Sequence, residues 1–142
     1  MNLANLKHEF IHIADYDKLK PLQLLVKEFK KYKRKHNTSA IVFCNSVHSA
    51  RAIEHALSEK GVSTASMHGD IPPKLRDRNF ATFKMQEAEV LVATDLASRG
   101  LDIPHVSHII NFDFPKTAAD YLHRAGRAGR AGREGHVLSL YR

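Results

Sequence analysis

Three arginines stand at every third position of the run His123-Arg124-Ala125-Gly126-Arg127-Ala128-Gly129-Arg130. A guanidinium is permanently charged and presents a planar fork of donors matched to phosphate oxygens. Interleaved glycines let the backbone approach a ligand or partner closely. The chemistry on offer is recognition of phosphate. Gly-Arg repeats also occur in disordered RNA-binding tails, but this run follows a capped helix start and precedes a strand-like segment, which puts it in a folded body. A second segment, Ala93 to Asp102, leaves the end of an apolar run and mixes hydroxyls, carboxylates, Arg99 and Gly100. Hydroxyls and exposed backbone N–H groups suit phosphate or ribose contacts. The alternative is a capped loop in which Asp95 and Asp102 serve only turns.

Other reactive residue types point to structure. There are ten histidines, but His105 and His108 are three apart in or beside a strand and should face opposite ways, and no cysteine cluster accompanies them. No metal site is expected. The single cysteine, Cys44, lies in the most apolar run and reads as a core residue. Phe112 and Phe114 flank a turn and read as packing residues. Lys27, Lys30, Lys31, Lys33, Arg34 and Lys35 crowd one stretch, which reads as a solvated helix end with cations near the C-terminal dipole.

Short apolar runs alternate with helical periods, the pattern of a parallel α/β sheet. Strands are predicted at Glu9–Ile13, Ala40–Cys44, Val62–Met67, Val90–Ala93, Val106–Ile110 and Gly135–Tyr141. Between them, Leu19, Leu22, Leu25, Val26 and Phe29 follow helical spacing, as do Ala50, Ile53 and Leu57 after a Ser46 cap. Pro72 and Pro73 open a helix carrying Leu75, Phe80 and Phe83, and Thr117 with Asp120 has capping-box spacing. Ligands of such sheets bind at the carboxyl ends of strands, which directs attention to the residues after Cys44, Met67, Ala93 and Ile110.

The bulk numbers agree. A length of 142 residues suits one domain, and 43% hydrophobic residues suffice for a core. A net charge of +7 favours polyanions. No apolar run approaches the roughly 20 residues that cross a bilayer, and residues 1–9 lack a signal-peptide pattern. The expectation is an intracellular protein of unresolved compartment, without a membrane partner.

The run HRAGRAGR resembles motif VI of the DEAD-box RNA helicases at every fixed position. ATDLASRGLDIP resembles motif V, IVFCNS (Ile41–Ser46) resembles motif IV, and HIINFDFP (His108–Pro115) follows the family's wording. The resemblance covers nearly the whole chain in order. It implies a single RecA-like α/β domain over residues 1–142, with a mostly parallel sheet and helices on both faces. In the family two such domains close on ATP and single-stranded RNA, and this chain matches the second. Arg127 and Arg130 match arginines that reach the γ-phosphate. Asp102 matches a ribose contact, with Gly100 beside it. Thr94 and Arg76 match RNA-backbone contacts, with the backbone near Asn45, Ser46 and Gly69 on the same track. Arg124, Arg99, Asp95 and His123 match residues that organise motifs V and VI and the closed interface. In a competing reading Arg127 and Arg130 only pin motif VI to the body, through carboxylates such as Asp95 or Asp113.

One departure stands out: the glutamine usual three places before Arg76 is Pro73. The sequence also holds neither a Gly-x-x-x-x-Gly-Lys-Ser/Thr loop nor an Asp-Glu-Ala-Asp segment. The resemblance assigns both, with most of the Mg2+ contact, to an N-terminal RecA-like domain that would be the partner of this one. The implied function is RNA duplex unwinding or RNA–protein remodelling driven by ATP, with the isolated domain inactive. A catalytically silent RNA-binding scaffold and a DNA-acting relative are the alternatives, and the leading His-Arg of motif VI argues against the latter.

Overall fold

Continuous apolar runs build the middle of the sheet. The computed structural model describes residues 5–14, 17–129 and 133–142. In chain order the elements are β1 (Leu6–His12), α1 (Leu19–Lys35), β2 (Ala40–Cys44), α2 (Val47–Glu59), β3 (Thr64–Met67), α3 (Pro73–Lys84), β4 (Val90–Thr94), α4 (Asp95–Ser98), β5 (His108–Asn111), α5 (Ala118–Ala125) and β6 (Gly135–Tyr141). The strands form one sheet in the order β1-β6-β5-β2-β4-β3, and every neighbouring pair is parallel. Every residue of β2, β4 and β5 is buried, as expected of central strands covered on both faces.

Alternation along these strands divides the core in two. Val42, Cys44, Val90, Val92 and Ile110 join Leu22, Val26 and Phe29 of α1 and Ala50, Ile53 and Leu57 of α2. Ile41, Phe43, Leu91, Ala93 and Ile109 pack on the other side against Phe83 of α3 and Ala125 of α5. The helices thus cover both faces, as the resemblance implies. Ser46 caps α2, its Oγ accepting from the Ser49 amide at 3.1 Å. Thr117 caps α5 by accepting from the Asp120 amide at 3.0 Å.

Several boundaries differ from expectation for local reasons. β1 starts at Leu6 and ends at His12, so Ile13 lies beyond it. β3 starts at Thr64, because the Val62 amide is spent on Leu57 O and Ser63 O accepts from Glu89 and Val90. β5 starts at His108; Val106 instead forms a parallel bridge with Ala128, giving its amide to Arg127 O and its carbonyl to Gly129 N. Leu75 is 41% exposed and Phe114 45% exposed, so neither is a core residue, whereas Phe112 and Phe83 are. Among the described residues no helix is long and apolar enough to cross a membrane.

Candidate functional site

Register fixes the geometry of the site. Cys44 lies opposite Thr94, Ala93 opposite Met67, and Phe43 opposite Asn111. The residues that follow, Asp113, Asn45, Asp95 and Gly69, therefore emerge in a row at the carboxyl ends of β5, β2, β4 and β3. The sequence segments singled out above meet along this rim.

Arg124 is the hub. It is 1% exposed, and all five of its N–H donors find acceptors. Nε and Nη2 hold the two Asp95 carboxylate oxygens at 2.8 and 2.7 Å. Nη2 also reaches Asn45 Oδ1 at 2.6 Å, and Nη1 reaches Asn111 Oδ1 at 3.2 Å and the Asp113 carbonyl at 2.8 Å. The guanidinium lies over the Phe43 ring, 5.3 Å from its centroid. One side chain thereby ties α5 to the ends of β2, β4 and β5.

Asp113 extends the network. Its carboxylate accepts from Lys18 Nζ and, at 2.8 Å, from the Asn45 amide. Burial by itself would raise its pKa; the Lys18 hydrogen bond, the Asn45 amide, the Lys18 charge and Ser49 outweigh burial and hold it below the ordinary carboxylate value. Asn45 completes its bonding through Nδ2 to Phe114 O at 3.0 Å. Its amide and side chain are thus engaged within the chain.

Beside this network lies a cleft of about 250 Å³ bordered by Asp95, Arg99, Gly100, Asp120, His123 and Arg127. Gly100 turns with φ +80°, a left-handed conformation that favours glycine. Arg99 faces Asp120 at 3.6 Å. Arg127 is only partly buried, and among the described residues its guanidinium makes one long hydrogen bond, 3.4 Å to the Ile103 carbonyl. Neither carboxylate named in the competing reading is recorded as a partner of Arg127: Asp95 is held by Arg124, and Asp113 by Lys18 and Asn45. Arg130 lies outside the described residues. Asp102 is exposed, a short way along the chain from Gly100 and outside the lining of the cleft.

Gly129, at φ +74°, packs so tightly on Gly135 that a Cβ on Gly135 would sit 2.5 Å from the Gly129 nitrogen. The close approach at Gly129 is thus to the chain's own sixth strand. Gly69, by contrast, has open space around its Cα. It lies with exposed Ser46 and buried Thr94 along the rim, and Arg76 stands partly exposed in the first turns of α3. Pro73 takes the first position of α3, where the lost N–H would have had no helical partner.

Residues 18–132 match the helicase conserved C-terminal domain. The chain belongs to that family, in its DEAD-box branch. It is 44% identical over 142 residues to DEAD-box ATP-dependent RNA helicase 39 of Arabidopsis thaliana, covering 97% of this chain and 22% of that protein. Against the ATP-dependent RNA helicase RhlB of Vibrio campbellii the identity is 40%, over 94% of this chain and 29% of that protein. The solved C-terminal domain of the DEAD-box protein Dbp5 superposes with a TM-score of 0.83 at 31% identity, covering 99% of this chain and 78% of that one. A DEAD-box protein of Methanococcus jannaschii gives 0.84 at 28% identity, over 97% of this chain and 36% of that one. The helicase C-terminal domain thus spans about a quarter of the length of the curated relatives it matches.

Two members of the hub, Asn111 and Lys18, escape sequence reading, and Asp113 entered it only as a carboxylate partner for Arg127 or Arg130 in the competing reading. A signal existed for Asn111, a polar residue inside an otherwise apolar strand, and it is fully buried. Lys18 gave none, since its partner is 95 positions away. Among the described residues no group of three or more His, Cys, Asp or Glu side chains has the geometry of a metal site.

Proposed function

We propose that this chain is the second motor domain of a protein that couples ATP binding and hydrolysis to unwinding of RNA duplexes or remodelling of RNA–protein complexes. The observation that carries the reading is the contrast between two arginines three residues apart. Arg124 spends every donor inside the domain, whereas Arg127 faces an open cleft with a single weak bond. A guanidinium with few internal bonds at the edge of an open cleft is available to a phosphoryl group presented by another domain. That other domain is the N-terminal RecA-like partner, which supplies the phosphate loop, the acidic segment and most of the Mg2+ contact. Mg2+ enters as the counter-ion of the ATP phosphates; the residues described here offer it no ligand cluster of their own. ATP ribose lies toward Asp102 and Gly100, and Arg130 joins Arg127 at the γ-phosphate. RNA phosphates and sugars run along Ser46, Gly69, Thr94 and Arg76, next to Asn45, without base readout.

The test is phosphate release with saturating single-stranded RNA and Mg2+. Turnover is expected from the whole protein and none from this chain alone. Steady turnover by the chain, after contaminating ATPase is excluded, would refute the division of labour. A whole protein that binds RNA without turnover would instead favour the silent scaffold.

A further inference from the structure

The turn between β3 and α3, residues 68–72, carries Gly69 and leads into Arg76, yet its own backbone can do little to hold it. Pro72 and Pro73 have no N–H to donate. Inside the turn the Ile71 amide bonds to His68 O at 3.1 Å, and the Arg76 amide closes the first helical turn on Pro72 O. The remaining order comes from α2. His68 Nε2 lies 3.2 Å from Glu54 Oε1, with the His68 side chain 2% exposed and Glu54 25% exposed. One turn earlier on α2, Arg51 reaches Asp70 Oδ2 at 2.8 Å, both side chains being largely exposed. Arg51 and Glu54 are spaced i, i+3 and so share one helical face. The exposed pair contributes little, because solvent screens it. The part-buried pair holds His68 more firmly, since the His68 ring, 2% exposed, has no access to water to replace the bond. A carboxylate can only accept, so Nε2 carries the proton, and His68 Nδ1 is a buried atom with no hydrogen-bond partner among the described residues.

We infer that Glu54 and His68 are positioning residues for RNA binding: α2, whose N-terminal cap is Ser46, braces the Gly69 turn through this part-buried pair, so that both ends of the track are referred to one helix. The braced turn leads directly into Pro73, the position at which the side-chain amide usual in the family is absent. The inference rests on the RNA track proposed above.

The orphaned Nδ1 makes the test asymmetric. His68→Gln keeps an N–H near the Nε2 position and gives up only the unpartnered atom. His68→Asn keeps a polar group near Nδ1 and gives up the bond to Glu54. Two readouts are taken on each variant of the chain: amide hydrogen exchange at Gly69, Asp70 and Ile71, and anisotropy of a fluorescein-labelled oligouridine strand. Glu54→Ala and His68→Asn are expected to speed exchange in the turn and to weaken RNA binding about tenfold, the scale of one lost buried hydrogen bond. His68→Gln should restore both, and Arg51→Ala should change affinity less than about twofold. Unchanged exchange in Glu54→Ala and His68→Asn overturns the brace whatever the RNA does. Faster exchange with unchanged affinity overturns its link to RNA. Equal loss in His68→Gln and His68→Asn, in step with lower melting temperatures, shows a merely structural histidine and overturns it too. Arg76→Ala runs alongside: if wild-type affinity is insensitive to that change as well, the RNA track itself fails, and the exchange data still judge the brace.

Discussion

Arg124 and Asp95 meet fork to fork: Nε and Nη2 of the arginine donate to the two carboxylate oxygens at 2.8 and 2.7 Å, with the guanidinium 1% exposed. The remaining donors are used as fully, so the guanidinium acts as a five-point joint between motifs IV, V and VI. Breaking a buried pair by removing one partner costs about 3–5 kcal/mol, because the other charge is left without compensation. Arg124→Ala should therefore lower unfolding stability by about that much in urea titrations. Arg124→Lys should rescue little, since an ammonium has three donors and no planar fork. A Lys variant within about 1 kcal/mol of the parent would show that charge, not geometry, is what the joint needs.

Arg127 should behave in the opposite way. It is partly buried and, among the described residues, its side chain bonds only to Ile103 O at 3.4 Å, so Arg127→Ala should change stability by no more than about 1 kcal/mol. In the whole protein the same substitution should lower RNA-stimulated turnover on the order of 10³-fold, the contribution of arginine fingers elsewhere. Melting temperature, ATP affinity and turnover need to be measured on one preparation. Activity lost only together with folding would return Arg127 to a structural role. Asp102→Ala is the comparison, expected to act on nucleotide affinity more than on the chemical step.

Cys44 is fully buried, and burial first, then the nearby negative charge of Asp113, pushes its thiol pKa up to about 12. Thiolate is the reactive form, so near pH 8 only about one thiol in 10⁴ is ionised in the folded chain. A disulfide reagent added to the native domain should react at a rate set by unfolding, and at once in denaturant. Rapid stoichiometric labelling of native protein would contradict the burial of β2.

The strands and motifs were legible because their signals are local. Ala40–Cys44 and Gly135–Tyr141 are runs of consecutive residues, and the structure has these same limits for β2 and β6. Ser46 and Thr117 announced their helices because a cap and the amide it serves are three residues apart. What could not be read depends on partners far apart in sequence. Residue type and spacing alone do not separate Arg124 from Arg127, which stand in the same Arg-Ala-Gly setting; only the family resemblance gave them different roles, and in the fold the first is on α5 facing the sheet and the second is past its end. The glycines are a milder case. Backbone crowding was legible, but whether a ligand or β6 supplies it is decided by topology.

His108, at the amino end of β5, supplies a pH dependence. It is buried, stacked on His136 with ring centroids 4.5 Å apart, and flanked by Phe29 and Tyr32 at 5.2 and 5.0 Å. Ser107 Oγ lies 2.7 Å from its Nδ1, and Glu134 faces the neighbouring His136 at 3.8 Å. Burial first, then the charge of His136, lowers its pKa from 6.5 to about 4. Because the folded value is below the unfolded one, the unfolded chain binds the extra proton first as pH falls. Stability should therefore be undiminished by this group above about pH 6.5 and should drop between about 6.5 and 4. At about 1.4 kcal/mol per pH unit the full loss is about 3 kcal/mol. Asp113, whose carboxyl is held below its ordinary value, loses its own contribution only at still lower pH. Urea titrations at half-unit steps from about pH 7.5 to 4 should show this slope in the parent chain. His108→Gln, which has no proton to bind in that range, should flatten it, whatever its effect on absolute stability. An unchanged slope in that variant would move the acid sensitivity from His108 to another group, with His136 and Glu134 the next pair to substitute.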